Sequence, residues 1–153
     1  MILISACFVN VNCRYDGKSK TYEWIDALFK SGQAIPICPE VLGGLTIPRL
    51  PCEIVGEDSV QNREGVDCTA AFKQGAARSL AIAKAIDAKI AILKANSPSC
   101  GFGTIYDGSF SGVICSGNGL AADLLAKHGI RIFNEDDEIQ FLAYLNDTEF
   151  SGN

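Results

Sequence analysis

Three of the seven cysteines in this 153-residue chain follow short apolar runs. Ile2-Leu3-Ile4-Ser5-Ala6 leads into Cys7, and Ala34-Ile35-Pro36-Ile37 leads into Cys38. Ile90-Ala91-Ile92-Leu93 leads through Lys94-Ala95-Asn96-Ser97-Pro98-Ser99 to Cys100-Gly101. If the three runs are parallel strands of one sheet, their thiols meet at its carboxyl edge, where open α/β sheets hold ligands. Thiolates favour soft centres, zinc or iron–sulfur, and four ligands are usual. No Cys-x-x-Cys pair is present, so three strand-end thiols suggest a three-cysteine site. Three ligands would leave one iron of a 4Fe–4S cluster open, as a catalytic centre requires. Cys13 lies in the loop after Cys7 and is a fourth candidate, whereas Cys52, Cys68 and Cys115 lack the strand-end context. The competing reading of all seven is buried, structural thiols.

Other side chains are delivered to the same edge. Glu40, two residues after Cys38, could act as a general base, and Ser97 could position a water. Lys94, Arg14 and Lys18 could hold an anionic or carbonyl-bearing ligand, and Tyr15 and Tyr106 could stack on a planar ring. Asp16 is placed to fix its loop by accepting backbone hydrogen bonds. The single histidine, His128, precedes Gly129 at an expected helix C-terminus, where a cation is favoured. That placement argues against Ser–His or Cys–His catalysis. Gly101-Phe102-Gly103 and Gly117-Asn118-Gly119 match neither a Walker nor a dinucleotide fingerprint.

The bulk composition restricts the classes. Nearly half of the residues are hydrophobic, which suits one α/β domain over residues 1–153 with its own core. The formal charge of −5 disfavours tracking of a phosphate backbone and points to a small molecule. An odd cysteine count without a secretory signal disfavours a disulfide framework. No apolar run reaches 18 residues, so no membrane span is expected, and a cytoplasmic location follows.

The elements that must position these groups alternate. Strands are expected near 2–6, 34–37, 90–93 and 131–133. Helices are expected over about 22–30, with Ile25, Leu28 and Phe29 inward, over 69–87 behind an Asp67 or Thr69 cap, over 118–127, and over 135–145. Residues 38–51, rich in Pro and Gly, read as irregular. Cys52–Val55 reads as a short edge strand, and 56–64 as a loop or hairpin. Thr104–Tyr106 and Ser111–Ile114 read as a hairpin joined through Asp107-Gly108-Ser109-Phe110, Asp-Gly being a common turn pair, and residues 146–153 as a frayed tail. The fold class is therefore α/β: a doubly wound, mostly parallel sheet flanked by helices, with a small β-hairpin insertion.

The motifs Ser5-Ala6-Cys7, Cys13-Arg14-Tyr15-Asp16-Gly17, Cys38-Pro39-Glu40-Val41-Leu42-Gly43-Gly44, Pro48-Arg49 and Ser97-Pro98-Ser99-Cys100-Gly101, in this order, resemble the thiouracil desulfidase family. Ile105-Tyr106-Asp107-Gly108 extends the likeness, which spans Ile2 to about Glu135. The resemblance implies an oxygen-sensitive 4Fe–4S cluster held by Cys7, Cys38 and Cys100, with Cys13 as the alternative ligand. It implies a non-redox exchange of sulfur for water on a thiolated pyrimidine, giving uracil or uridine and hydrosulfide. Glu40 and Ser97 are then the catalytic groups, and Arg14, Asp16, Lys94 and Ser99 the substrate-binding ones. Thiolated tRNA is a further conceivable substrate, less suited to an acidic chain. Two departures bear on substrate preference: Phe8-Val9-Asn10 replaces Leu-Leu-Gly, and Ala121 replaces a threonine. Outside the resemblance, the alternatives are a non-catalytic zinc or small-molecule binding module, and a metal-free thiolate enzyme.

Overall fold

The computed structural model describes residues 1–57 and 59–150. In chain order the elements are β1 (Ile2–Ser5), a 3₁₀ turn (Ala6–Val9), α1 (Glu23–Lys30), β2 (Ala34–Ile37), α2 (Pro39–Leu42), β3 (Cys52–Val55) and β4 (Ser59–Asn62). There follow α3 (Thr69–Ala85), β5 (Ile90–Ile92), β6 (Thr104–Tyr106), β7 (Ile114–Ser116), α4 (Leu120–Lys127), β8 (Arg131–Phe133) and α5 (Glu138–Phe150).

The main sheet has the order β2-β1-β5-β8, and every pairing in it is parallel. β1 is central and buried along its whole length, which explains its unbroken apolar run. Ile2 pairs with Ala34 on one side and Ile90 on the other, so the three strands end level. Ile4, Ile25, Ile92, Phe133 and Phe141 form the core beneath α1 and α5. Leu3, Leu80, Leu93, Leu125 and Ile132 form the core beneath α3 and α4. Helices thus cover both faces, and the chain reverses its winding between β1 and β5. That switch point opens a crevice at the strands' carboxyl ends.

The structure corrects several expected boundaries. Residues 39–42 form a short helix with Pro39 at its first turn, where a missing N–H costs nothing. α2 packs on α3 so closely that a Cβ on Gly75 would strike the Pro39 carbonyl oxygen, and one on Gly43 the Ala71 carbonyl oxygen. β3 is not an edge of the main sheet. It pairs with β4 in a separate hairpin whose Val60 packs with Phe72 of α3. β6 and β7 pair with Tyr106 opposite Ile114, so the connection is the whole of 107–113 and not 107–110 alone. In α1, Trp24 and Leu28 join Ile25 against the core, while Phe29 is 39% exposed. Cys68 holds the N-cap position of α3, and Asp67 supplies the acceptor to the Thr69 N–H at 2.9 Å. α5 begins at Glu138, because Asn134 to Asp137 form a tight turn, and it continues to Phe150. The expected fraying of 146–150 is therefore replaced by helix; residues 151–153 lie outside the described residues.

Candidate functional site

A cavity of about 450 Å³ lies at the carboxyl ends of β1, β2 and β5. Cys7, Cys13, Cys38 and Cys100 all line it. Each is held differently. Cys7 sits in the 3₁₀ turn after β1, and its carbonyl accepts the Lys20 N–H at 2.9 Å, closing the long loop back on the strand. Asn10 ends that turn with φ +65 and donates its N–H to Ala6. Asn tolerates this left-handed conformation better than most residues, so the turn survives where the resemblance has glycine. Cys38 holds the N-cap position of α2. Cys100 is placed by Ser97, whose Oγ accepts the N–H groups of both Ser99 and Cys100 at 3.1 Å.

That last loop is held from below by α4. The N–H of Leu120 donates to Pro98, and those of Ala121 and Ala122 donate to the Ser99 carbonyl, at 2.9 to 3.0 Å. The first-turn donors of α4 thus cap the loop in place of a side chain. Gly119 is required there, since a Cβ would lie 2.7 Å from the Ser97 carbonyl oxygen. Ala121 is fully buried in this contact, at 0% exposure, which leaves little room for threonine.

The thiols influence one another. Cys13 lies within reach of both Cys38 and Cys7. The hydrogen bond with Cys38 pulls its thiol down, but that with Cys7, together with burial and the Cys7 charge, outweighs it and leaves it at about 11. Cys38 is pushed well above the usual thiol range by the Cys13 hydrogen bond and by burial. Burial, then the Cys38 charge, raises Cys100 to about 12. The Ser5 hydroxyl lies 3.7 Å from the Cys100 sulfur and accepts the Lys94 N–H at 2.9 Å.

A polar chain runs beside the thiols. The hydroxyls of Ser97 and Ser99 are 3.0 Å apart, and Ser99 donates to Glu40 Oε2 at 3.1 Å. Glu40 Oε1 faces Arg49 Nε at 3.3 Å, and Arg49 also donates to the Cys13 carbonyl at 2.9 Å. The carboxylate is therefore charge-assisted on one side and hydroxyl-bound on the other. Lys94 pairs with Glu135 at 2.6 Å.

Of the residues singled out in the sequence, Glu40, Ser97, Arg14 and Lys94 line the cavity with the four thiols. Ser99 lies behind the wall, 2% exposed, linking Ser97 to Glu40. Asp16 is exposed and outside the lining; it accepts the Lys18 N–H at 3.0 Å, a loop-fixing contact. Ser5, Arg49 and Glu53 were missed as site residues, and Cys52 also reaches the cavity. Ser5 and Arg49 stand inside the quoted motifs, but nothing in their spacing marks their partners. Glu53 carries no sequence signal.

The profile of the 2-thiouracil desulfurase family matches residues 2–137. This chain belongs to that family. Within it, YbbK, an uncharacterized protein of Bacillus subtilis strain 168, is 43% identical over 146 residues, covering 90% of this chain and 97% of that protein. A solved structure of TudS, a 4Fe–4S-dependent thiouracil desulfidase, superposes with a TM-score of 0.89 at 43% identity, covering 95% of this chain and 97% of that one. The α/β sheet and its flanking helices are thus the fold of a thiouracil desulfidase.

The donor set here fits a cluster. Four thiols on one wall supply soft ligands, and no acidic or imidazole side chain is needed beside them. Among the described residues, no three His, Cys, Asp or Glu side chains draw together as a single metal ion requires.

Proposed function

We propose that this chain is a 4Fe–4S-dependent desulfidase that hydrolyses the carbon–sulfur bond of a thiolated pyrimidine. Water supplies the ring oxygen, and the sulfur leaves as hydrosulfide with a proton, so no electron is exchanged. Cys7, Cys38 and Cys100 are the proposed ligands: the first two directly follow strands, and Ser97 fixes the backbone of the third; Cys13, between Cys7 and Cys38, is the alternative to Cys7. When bound, the cluster supplies a Lewis-acidic, thiophilic site with an open position.

The protein's own residues do the rest. Glu40 takes a proton from the attacking water. Arg49 keeps the carboxylate oriented, and the Ser97–Ser99 hydroxyl chain gives a path along which a proton can shift. Lys94 and Arg14 hold the ring's carbonyl side, with Lys94 steadied by Glu135. Asp16 and Ser99 serve indirectly, the first through the loop and the second through Glu40. The cavity takes a pyrimidine or its nucleoside, and the acidic balance of the chain favours these over thiolated tRNA. Among the described residues, no helix is long and apolar enough to cross a membrane.

The observation that carries the proposal is that Cys7, Cys38, Cys100, Glu40 and Ser97 line one cavity, with Ser99 joining Glu40 to Ser97 behind its wall. The test is anaerobic reconstitution with iron and sulfide, followed by the thiouracil absorbance band and hydrosulfide release. Four irons per chain with loss of the band is the expected result. A reconstituted, iron-loaded protein that leaves the band untouched would refute the activity. Stoichiometric zinc with no iron uptake would point instead to the binding module.

A further inference from the structure

Glu53 is the second carboxylate on the cavity wall, and nothing so far uses it. It lies on β3, only 8% exposed, in a hairpin that is separate from the main sheet. Its Oε1 accepts the N–H of Gly108 at 3.0 Å and that of Phe110 at 3.1 Å. These bonds pin the 107–113 loop across the cavity, where Phe110 and Gly112 complete the wall. The loop crosses β3 closely: a Cβ on Gly108 would lie 2.6 Å from the Ile54 carbonyl oxygen. Phe110 is held at φ +56, a conformation that a bulky residue adopts only when its surroundings impose it.

The other oxygen, Oε2, receives no hydrogen bond from any described residue. Oε2 is not among the fully buried atoms, and Glu53 lines the cavity. Glu40 differs, because Arg49 and Ser99 each donate to one of its oxygens. Glu53 Oε2 is therefore the carboxylate oxygen of the cavity lining that no protein donor engages.

We propose that Glu53 is a specificity-determining residue: Oε2 accepts the N3–H of the pyrimidine, while Oε1 fixes the Phe110 loop as the wall beside the ring. This deepens the desulfidase reading and rests on it. N3–H flanks the sulfur-bearing carbon in both 2-thio and 4-thio pyrimidines, and it survives when N1 carries a sugar. A carboxylate accepts from this donor and has no proton for the ring's carbonyl oxygens.

The experiment compares 4-thiouracil with 3-methyl-4-thiouracil as substrates, and uracil with 3-methyluracil as equilibrium ligands, in cluster-loaded wild type and Glu53→Gln. The amide oxygen of Gln keeps the loop pinned but places an N–H₂ where Oε2 stood. Wild type is expected to disfavour the methylated compound by about 10- to 100-fold in kcat/KM and in binding. Glu53→Gln is expected to lose a similar factor on the parent and to discriminate no further. Independent, multiplying penalties would show that the methyl group merely clashes and would overturn the assignment. So would wild-type kcat/KM on 4-thiouracil in Glu53→Gln. If the variant fails to fold, wild type decides: loss of 3-methyluracil with retained 5-methyluracil binding supports the role, and equal binding of uracil and 3-methyluracil refutes it. A wild type that turns over neither thiolated compound yet prefers uracil to 3-methyluracil would sink the desulfidase reading and leave Glu53 standing.

Discussion

Each thiol and acid at the site has a distinct environment, so substitutions should separate their roles. Cys38→Ala and Cys100→Ala each remove a proposed ligand and are expected to abolish iron retention after anaerobic reconstitution. Cys7→Ala and Cys13→Ala should differ sharply: the first loses the cluster's electron paramagnetic resonance signal and the second keeps it. The opposite result would make Cys13 the ligand. Glu40→Gln should retain iron yet lower kcat by about 10² to 10⁴, the usual range for removing a positioned acid–base group. Arg49→Met is expected to follow it in direction but with a shallower loss, because Ser99 still binds Glu40.

The elements matter through close backbone approaches. α2 is one turn long and cannot hold Cys38 and Glu40 in place unaided. Its position comes from α3, where Gly43 and Gly75 let the two backbones touch and Arg78 donates to the Leu42 carbonyl. Gly75→Ala should therefore destabilise the fold by about 1–3 kcal/mol through overpacking. It should also displace α2, and iron occupancy should fall more than the melting temperature alone would indicate. Chemical denaturation and iron content, measured on the same preparation, test this. Within the segment 38–51, residues 43–51 are irregular as expected and only 39–42 are not: four residues show no helical period, and tertiary contact made the turn.

At the scale of the whole molecule, folding buries several thiols away from water. Cys52 is raised to about 12, first by burial and then by the neighbouring Cys68 charge; Cys13 and Cys100 are raised as well. A thiol whose value is higher folded than unfolded favours the native state while protonated. That contribution is full below about 9, the ordinary value, and is lost as pH rises toward the raised one. Cluster-free protein should therefore melt at progressively lower temperature between pH 9 and 12, and Cys52→Ala should flatten the slope. A melting temperature constant over that range would contradict it.

The sheet and three of its thiols were legible because their signals are local. Apolar runs of strand length mark β1, β2 and β5; Cys7 and Cys38 directly follow two of them, and Cys100 lies in the loop after the third. Helical spacing likewise marked α3 and α4. What the chain could not disclose by itself depends on contacts between distant segments. That Ser5 faces Cys100, that Arg49 meets Glu40, and that Glu53 holds Phe110 across 57 positions follows from where β3 and the 107–113 loop dock. Local pattern specifies which face of an element is apolar. Only packing decides which polar atoms then lie within 3 Å of one another, because hydrogen-bond geometry is set by the sum of many backbone placements and by no single stretch of sequence.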